Sequence, residues 1–186
     1  MRSLVRCVSV VLALAAAGCA TPQYRAELLD MQASVPYTLA SGDRVRIIVF
    51  GQDALSNSYS VDGSGNVAMP LIGSVRAIGQ STQGLERAIE AKLRDGLLRE
   101  PKVAVEVEAF RPFFIIGEIT TAGQYPFVNG MTVQNAIAIA GGYTPRGWSK
   151  GADITRVIDG QSVTGTVPLT YQLRPGDTVT VRERFL

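Results

Sequence analysis

"YTLASGDRVRI" (residues 37–47) and "YQLRPGDTVTV" (residues 171–181) are two copies of one phrase, Y-x-L-x-x-G-D-x-V-x-[I/V]. In each copy a Gly-Asp pair is followed by a run in which Val or Ile alternates with other residues. This alternation predicts a β-strand that buries one face. The phrase therefore predicts a strand–turn–strand corner near the beginning of the folded part of the chain and another near its end.

The Gly-Asp pairs explain how each corner would close. Gly42 and Gly176 suit turn positions that require a positive φ. Asp43 and Asp177 can accept backbone N–H groups and hold the turn shut. The alternative interpretation is a ligand or metal site built by the two aspartates. We favour the structural role because a Gly-Asp turn needs no ligand.

The N-terminal residues have the pattern of a bacterial secretion signal. Arg2 and Arg6 precede an apolar run over residues 8–17, which is too short to span a bilayer. The ending "AAGC" resembles a lipobox, in which the new N-terminal Cys19 is acylated. We expect a lipoprotein signal peptide at 1–18 and a lipidated N-terminus and tether at 19–36. A plain signal peptide cleaved nearby is the alternative.

Charge and residue counts exclude several function classes. Removal of residues 1–18 takes two of the 18 basic residues and none of the 16 acidic ones, so the remainder is formally neutral and no nucleic-acid partner is expected. Histidine is absent, which excludes Ser–His–Asp catalysis and His-ligated metal. Cys19 is the only thiol left after cleavage, so it has no disulfide partner within the chain. We expect no enzyme, no catalytic residue, no metal and no cofactor, although a pair of glycan-cleaving carboxylates is a minor alternative.

The first predicted domain covers residues 37–111. It contains strands around the corner, two short strands forming a hairpin about the 62–66 turn, a helix that Ser81 or Thr82 begins and Gly96 ends, and the alternating strand "KVAVEVEAF". The second covers residues 112–186. Its predicted elements are a core strand in "RPFFII", a helix capped by Thr132, and a hairpin with its turn at Asp159-Gly160. The fold class is α+β.

Residues 37–107 resemble the polysaccharide biosynthesis/export domain, the periplasmic domain of outer-membrane polysaccharide export lipoproteins. The resemblance rests on the opening Y-x-L-x-x-G-D, the V-D-x-x-G turn, "MPLIG", the following helix and "PKVAVEV". Downstream, "FFIIGEITTAGQYPF", "MTVQNAIAIAGG" and "LRPGDTVTV" resemble the SLBB domain, a β-grasp unit. The resemblance implies a small β-rich export domain followed by a β-grasp domain.

The resemblance also implies a function and partners. Members of the capsule-export type assemble as homo-oligomeric rings and take polysaccharide polymer from an inner-membrane polysaccharide co-polymerase. Because no amphipathic helix follows "TVTVRERFL", we expect a short, lipid-anchored outer-membrane protein facing the periplasm, with a separate outer-membrane β-barrel as a possible exit. A monomeric periplasmic glycan-binding or adaptor module is the alternative.

One loop is the candidate contact surface. "GGYTPRGWSKG" places two aromatic and two basic side chains in a glycine-rich stretch after a helix, and these types suit sugars, anionic polymers or a neighbouring subunit. The alternative is that the tryptophan packs on the core and the cations are merely solvated. The candidate residues are Tyr143, Arg146, Trp148 and Lys150.

Overall fold

The computed structural model describes Leu29 and residues 35–184. The predicted signal peptide at 1–18, Cys19 and most of the tether at 19–36 lie outside the described residues. Besides a short 3-10 helix at Asp53–Leu55, the described residues form ten strands and two α-helices, which confirms the α+β class. In chain order these are β1 (Arg44–Val49), β2 (Asn57–Ser60), β3 (Asn66–Met69), β4 (Gly73–Arg76), α1 (Thr82–Arg94), β5 (Val103–Ala109), β6 (Phe113–Gly117), β7 (Gly123–Tyr125), α2 (Val133–Ile139), β8 (Ala152–Ile158), β9 (Gln161–Val167) and β10 (Thr178–Val181).

The first hydrophobic core lies between a three-stranded antiparallel sheet, ordered β2-β1-β5, and helix α1. Strand β1 alternates as predicted, with Val45, Ile47 and Val49 buried. Ser81 caps α1 by accepting the N–H of Gly84, and α1 buries a leucine/isoleucine stripe against the sheet. The predicted bounds of this helix are therefore confirmed.

Helix α1 also protects the free edge of β5. The side chain of Glu86 accepts the backbone N–H of Val105 over 2.9 Å, and Glu90 accepts that of Val103 over 3.1 Å. These N–H groups face away from β1 and would otherwise form an open sheet edge, which is a template for pairing with another chain. Because the carboxylates of Glu86 and Glu90 accept these two N–H groups, the groups are not available to a strand of another chain.

The hairpin predicted about residues 62–66 is wrong. Strand β2 pairs with β1, whereas β3 pairs with β4 in a separate two-stranded sheet. The turn at 62–66 therefore passes the chain from one sheet to another. The two strands predicted on either side of this turn do form, but an alternating pattern does not specify which strand each of them pairs with. The hairpin that does form joins Met69 to Gly73.

The second core has the β-grasp arrangement, with a five-stranded mixed sheet ordered β7-β6-β10-β8-β9 and helix α2 on one face. Strands β6 and β10 run parallel at its centre. Thr132 and Asn135 form a reciprocal capping box at the start of α2. The hairpin between β8 and β9 is confirmed, with positive φ at both Asp159 (49°) and Gly160 (77°), as a type I′ turn requires.

The expectation that "RPFFII" is entirely core is half wrong. Phe113 and Ile115 are fully buried, but Phe114 and Ile116 are 41% and 46% exposed on the opposite face. Helix α2 covers only one face of the sheet, so a continuous apolar run does not require burial on both sides. Across β10, Phe114 and Ile116 pair with Thr178 and Thr180 on the uncovered face.

An N-terminal residue contributes to the second core. Leu29 is fully buried there, and its carbonyl accepts the hydroxyl of Tyr171 over 2.8 Å. The first core begins with Leu39. Within the described residues, no helix has the length and apolar character needed to cross a membrane.

Candidate functional site

The first Gly-Asp corner is closed by the carboxylate of Asp43, which is fully buried. It accepts the backbone N–H of Ala40 over 2.8 Å, the N–H of Arg111 over 2.9 Å, and the hydroxyl of Tyr37. Gly42 has φ 92°, the left-handed value that the third position of a type II turn demands. Burial and the bond to Asp43 raise the pKa of Tyr37 far above its usual value.

The second corner has the same turn, and its aspartate also binds a buried guanidinium, that of Arg156. Asp177, 1% exposed, accepts the N–H of Arg174 over 2.7 Å, as Asp43 accepts that of Ala40. Its two carboxylate oxygens also accept the Nε–H and Nη2–H of Arg156, over 2.8 and 2.7 Å. Burial alone would lower the pKa of Arg156, but the bonds to Asp177 outweigh burial and raise it. Gly176 has φ 85°.

Arg111 brings the corners together. A Cβ added to Gly42 would lie 3.4 Å from the Cβ of Arg111, and one added to Gly176 would lie 2.6 Å from its Nε. The guanidinium of Arg111 is 3.9 Å from Asp43. Each aspartate is thus bonded to protein donors, which is the arrangement of a structural turn. In the part of the chain that the structure describes, no cluster of three or more His, Cys, Asp or Glu residues could hold a metal.

A cleft opens beside the corners, between the two cores. One cavity, of about 230 Å³, is lined by Tyr37, Phe110, Phe127, Asn129, Gln172 and Arg174, among others. A neighbouring cavity, of about 320 Å³, shares Tyr37 and Arg174 and adds Arg111 and Arg156. The rings of Tyr37 and Phe110 meet edge to face at 5.0 Å, and those of Phe110 and Phe127 at 5.5 Å. The cleft therefore combines an aromatic wall with amide and guanidinium donors.

The loop at 141–150 is held down by Glu118. Its carboxylate accepts the hydroxyl of Thr144 and, over 3.1 Å, the Nη2–H of Arg146. The same two contacts lower the pKa of Glu118. Arg146 also lies 3.4 Å from Glu183, and Gly147 forms an isolated bridge with Glu183. Arg146, although exposed, is therefore occupied by two carboxylates.

The other candidate residues of the loop differ in placement. The Tyr143 ring packs against the second core, and its buried hydroxyl has no hydrogen-bond partner among the described residues. Trp148 is half-buried, with the guanidinium of Arg182 6.0 Å from its ring centroid. Lys150 is exposed. The backbone N–H of Trp148 donates to the carbonyl of Arg182, and that of Arg184 donates to the carbonyl of Arg146, so the loop lies along the 182–184 segment.

Sequence reasoning missed the residues that complete the corners. Arg111 and Arg156 lie 68 and 21 positions from the aspartates they bind, so no local pattern pairs them. One signal was available for the cleft. Arg174 occupies a position of the phrase that holds Ala40 in the first copy, so the corner itself does not require a cation there.

Comparison with known families agrees with the two-core arrangement. Residues 31–108 match the family described as polysaccharide biosynthesis/export protein, and residues 112–167 match the SLBB domain. The two matches are consecutive and cover most of the motifs that carry the resemblance, although the second match ends before "LRPGDTVTV" at 173–181. The chain belongs to the polysaccharide biosynthesis/export family. Its second core is accordingly an SLBB β-grasp domain.

Curated relatives show the same similarity. The chain is 29% identical over 140 residues to the Exopolysaccharide production protein ExoF of Rhizobium meliloti (strain 1021), covering 73% of this chain and 32% of ExoF. It is 24% identical over 161 residues to the Polysialic acid transport protein KpsD of Escherichia coli, covering 80% of this chain and 28% of KpsD. The chain thus spans about a third of the length of the curated relatives it matches.

Proposed function

We propose that this protein is a non-enzymatic component of a capsular or exopolysaccharide export machine, in which it forms or lines a ring-shaped conduit for the polymer. The observation that carries the proposal is the export domain followed directly by an SLBB domain. The names of the relatives, one an exopolysaccharide production protein and the other a polysialic acid transport protein, support the same process. Polysaccharide is the cargo, and the inner-membrane co-polymerase is the proposed source of it.

The domain boundaries are part of the proposal. The export domain would cover 37–111 and the SLBB domain 112–186. Two separate hydrophobic cores support this division, and Arg111, held between the two corners, lies at the proposed boundary. Because Arg111 contacts both corners, the two domains of one subunit would present a fixed pair of surfaces to neighbouring subunits, as a closed ring requires.

The protein would be anchored in the outer membrane by acylated Cys19 and would face the periplasm. A bacterial lipoprotein anchor holds more firmly than one acyl chain, whose binding alone is marginal. Mass spectrometry of the mature protein tests this part. We expect the N-terminal peptide to carry acyl groups that the Cys19→Ser variant lacks. An unmodified wild-type peptide would contradict the anchor without affecting the export proposal.

Size in detergent separates a conduit from a monomeric glycan-binding adaptor. The full chain has a mass of 19.9 kDa. Analytical ultracentrifugation of the membrane-extracted protein should give a single species at a large multiple of that mass. A species that stays at the subunit mass over a wide concentration range would exclude the conduit. Incubation with purified polymer should leave its chain length unchanged, and shortening would overturn the non-enzymatic assignment.

A further inference from the structure

The 230 Å³ cavity of the cleft is lined by side chains of one charge sign only. Its lining contains one cation, Arg174, and no carboxylate. The Arg174 guanidinium donates to the carbonyl of Val35 and makes no ion pair with a carboxylate in the described part of the chain. By contrast, Arg111 and Arg156 lie against Asp43 and Asp177. Arg174 is therefore the guanidinium in this cleft that retains capacity for an external anion.

The corner does not explain Arg174. In both copies the corner is closed by the backbone N–H of the residue three positions before the aspartate, and in the first copy that residue is Ala40. The guanidinium is partly desolvated and close to the positive charge of Arg156, and these two effects lower the pKa of Arg174. An anionic ligand would compensate both. The side chain is thus placed at an energetic cost that its own turn does not require.

The rest of the lining suits a sugar ring. Tyr37, Phe110 and Phe127 supply an aromatic wall against which the C–H face of a pyranose can pack, while Asn129 and Gln172 supply amide donors and acceptors for hydroxyl groups. The volume, about 230 Å³, lies below the range of about 300–1,000 Å³ found for sites of drug-sized ligands. It can therefore accept one ring and not an oligosaccharide.

We propose that the cleft between the two domains is a subsite for a single acidic sugar residue, with Arg174 binding its carboxylate and the aromatic wall packing against its ring. This inference rests on the proposed export function and adds the chemical class of the cargo, a polymer containing uronic acid or another carboxylated sugar. A planar guanidinium binds a carboxylate through two parallel hydrogen bonds, which is the geometry that selects such residues over neutral ones.

Binding of defined oligosaccharides to the full chain tests the inference. The probe is a tetrasaccharide of alternating glucuronic acid and N-acetylglucosamine, and its matched control is the same molecule with its carboxyl groups reduced to alcohols. Acetate serves as a carboxylate without a ring. Calorimetry gives the affinities, and saturation-transfer NMR shows which ligand protons lie against aromatic rings. We expect the acidic tetrasaccharide to bind at least about tenfold more tightly than its reduced form.

Variants assign the binding to this cleft. Arg174→Gln should abolish the preference for the acidic tetrasaccharide, while Arg76→Gln, at an exposed arginine on β4, should retain it. Gln172→Ala, at an exposed position, should weaken both tetrasaccharides without lowering the thermal midpoint. This second variant keeps the test decisive if Arg174→Gln unfolds. Equal affinity of wild type for the two tetrasaccharides, no binding of either, or equally strong binding of acetate would overturn the inference.

The two proposals fail separately. If wild type forms the large assembly in detergent but shows no acidic preference, the subsite is refuted and the export function stands. If the protein binds the acidic tetrasaccharide as a monomer and never assembles, the conduit is refuted and the subsite stands.

Discussion

The backbone N–H of Arg111 donates to Oδ1 of Asp43 over 2.9 Å, across 68 residues of chain. This bond joins the proposed domain boundary to the first Gly-Asp corner. The side chain of the same arginine lies against Gly176 in the second corner. The repeated phrase therefore does more than turn the chain. Its two copies both contact Arg111, which lies between the two cores.

Breaking the buried ion pair of the second corner should be severe. Asp177 and Arg156 are 1% and 5% exposed, so Asp177→Asn leaves a buried guanidinium without its counter-charge. We expect the free energy of unfolding to fall by about 3–5 kcal/mol in urea titrations. The control is Glu108→Gln, whose exposed partner Arg44 lies 3.8 Å away, with an expected change within about 0.5 kcal/mol. Similar losses in the two variants would refute the structural role of Asp177.

Tyr37 should make the protein sensitive to alkali. Its pKa is raised above the usual 10.0, first by burial and then by the hydrogen bond to Asp43, so the folded state keeps a proton that the unfolded state loses above pH 10. Stability should therefore be fully present below pH 10 and fall as the pH rises beyond it. Tyr37→Phe should flatten that decline in unfolding titrations between pH 9 and 11. An unchanged slope in Tyr37→Phe would contradict the assignment.

Leu71 is strained as well as exposed. It has φ 66° in the β3–β4 hairpin and is 76% accessible. A non-glycine residue in the left-handed region costs about 1–2 kcal/mol, while glycine costs about 0.5–1 kcal/mol in chain entropy. Leu71→Gly should therefore raise the unfolding free energy by about 0.5–1 kcal/mol. Gly73→Ala, at φ 67° with open space around it, should lower it. A lower unfolding free energy in Leu71→Gly together with a higher one in Gly73→Ala would show that φ is not the controlling factor.

The Glu118 contacts should hold the 141–150 loop in place at neutral pH. Because Thr144 and Arg146 lower the pKa of Glu118 from its usual 4.5, their stabilisation is present above that pH and is lost as pH falls through the lowered value. Arg146→Gln should speed amide hydrogen exchange across the loop at pH 7. Lys150→Gln, at an exposed position, should not. Equal exchange in wild type and Arg146→Gln would show that the loop is held by other contacts.

Local sequence patterns predicted where helices, turns and strands lie better than they predicted which strands pair. The caps at Ser81 and Thr132, the Asp159-Gly160 turn and the alternation in β1 are encoded by adjacent residues, and the structure confirms them. The β3–β4 hairpin was missed because its turn, at Pro70 and Leu71, requires a positive φ from a leucine, which no propensity favours.

In the candidate site, too, local features were predictable from the sequence and contacts between distant residues were not. The turn-forming glycines and aspartates are recognisable from the phrase, but the arginines that bind the aspartates come from distant positions. The exposed face of Phe114 and Ile116 was missed because an unbroken apolar run does not reveal whether one or both faces of a sheet are covered. Sequence therefore predicted the Gly-Asp turns and the strands that follow them, but not the cleft they border. The strand predicted before each turn is wrong, because residues 37–40 and 171–174 form none.

The most direct test of the account is the amount of polysaccharide outside the cell after deletion of the gene, measured alongside the polymer retained in the periplasm. We expect extracellular polymer to be lost, periplasmic polymer to accumulate, and export to return when the wild-type gene is supplied in trans. Normal extracellular polymer in the deletion strain, in a background with no second copy of the family, would contradict the central claim.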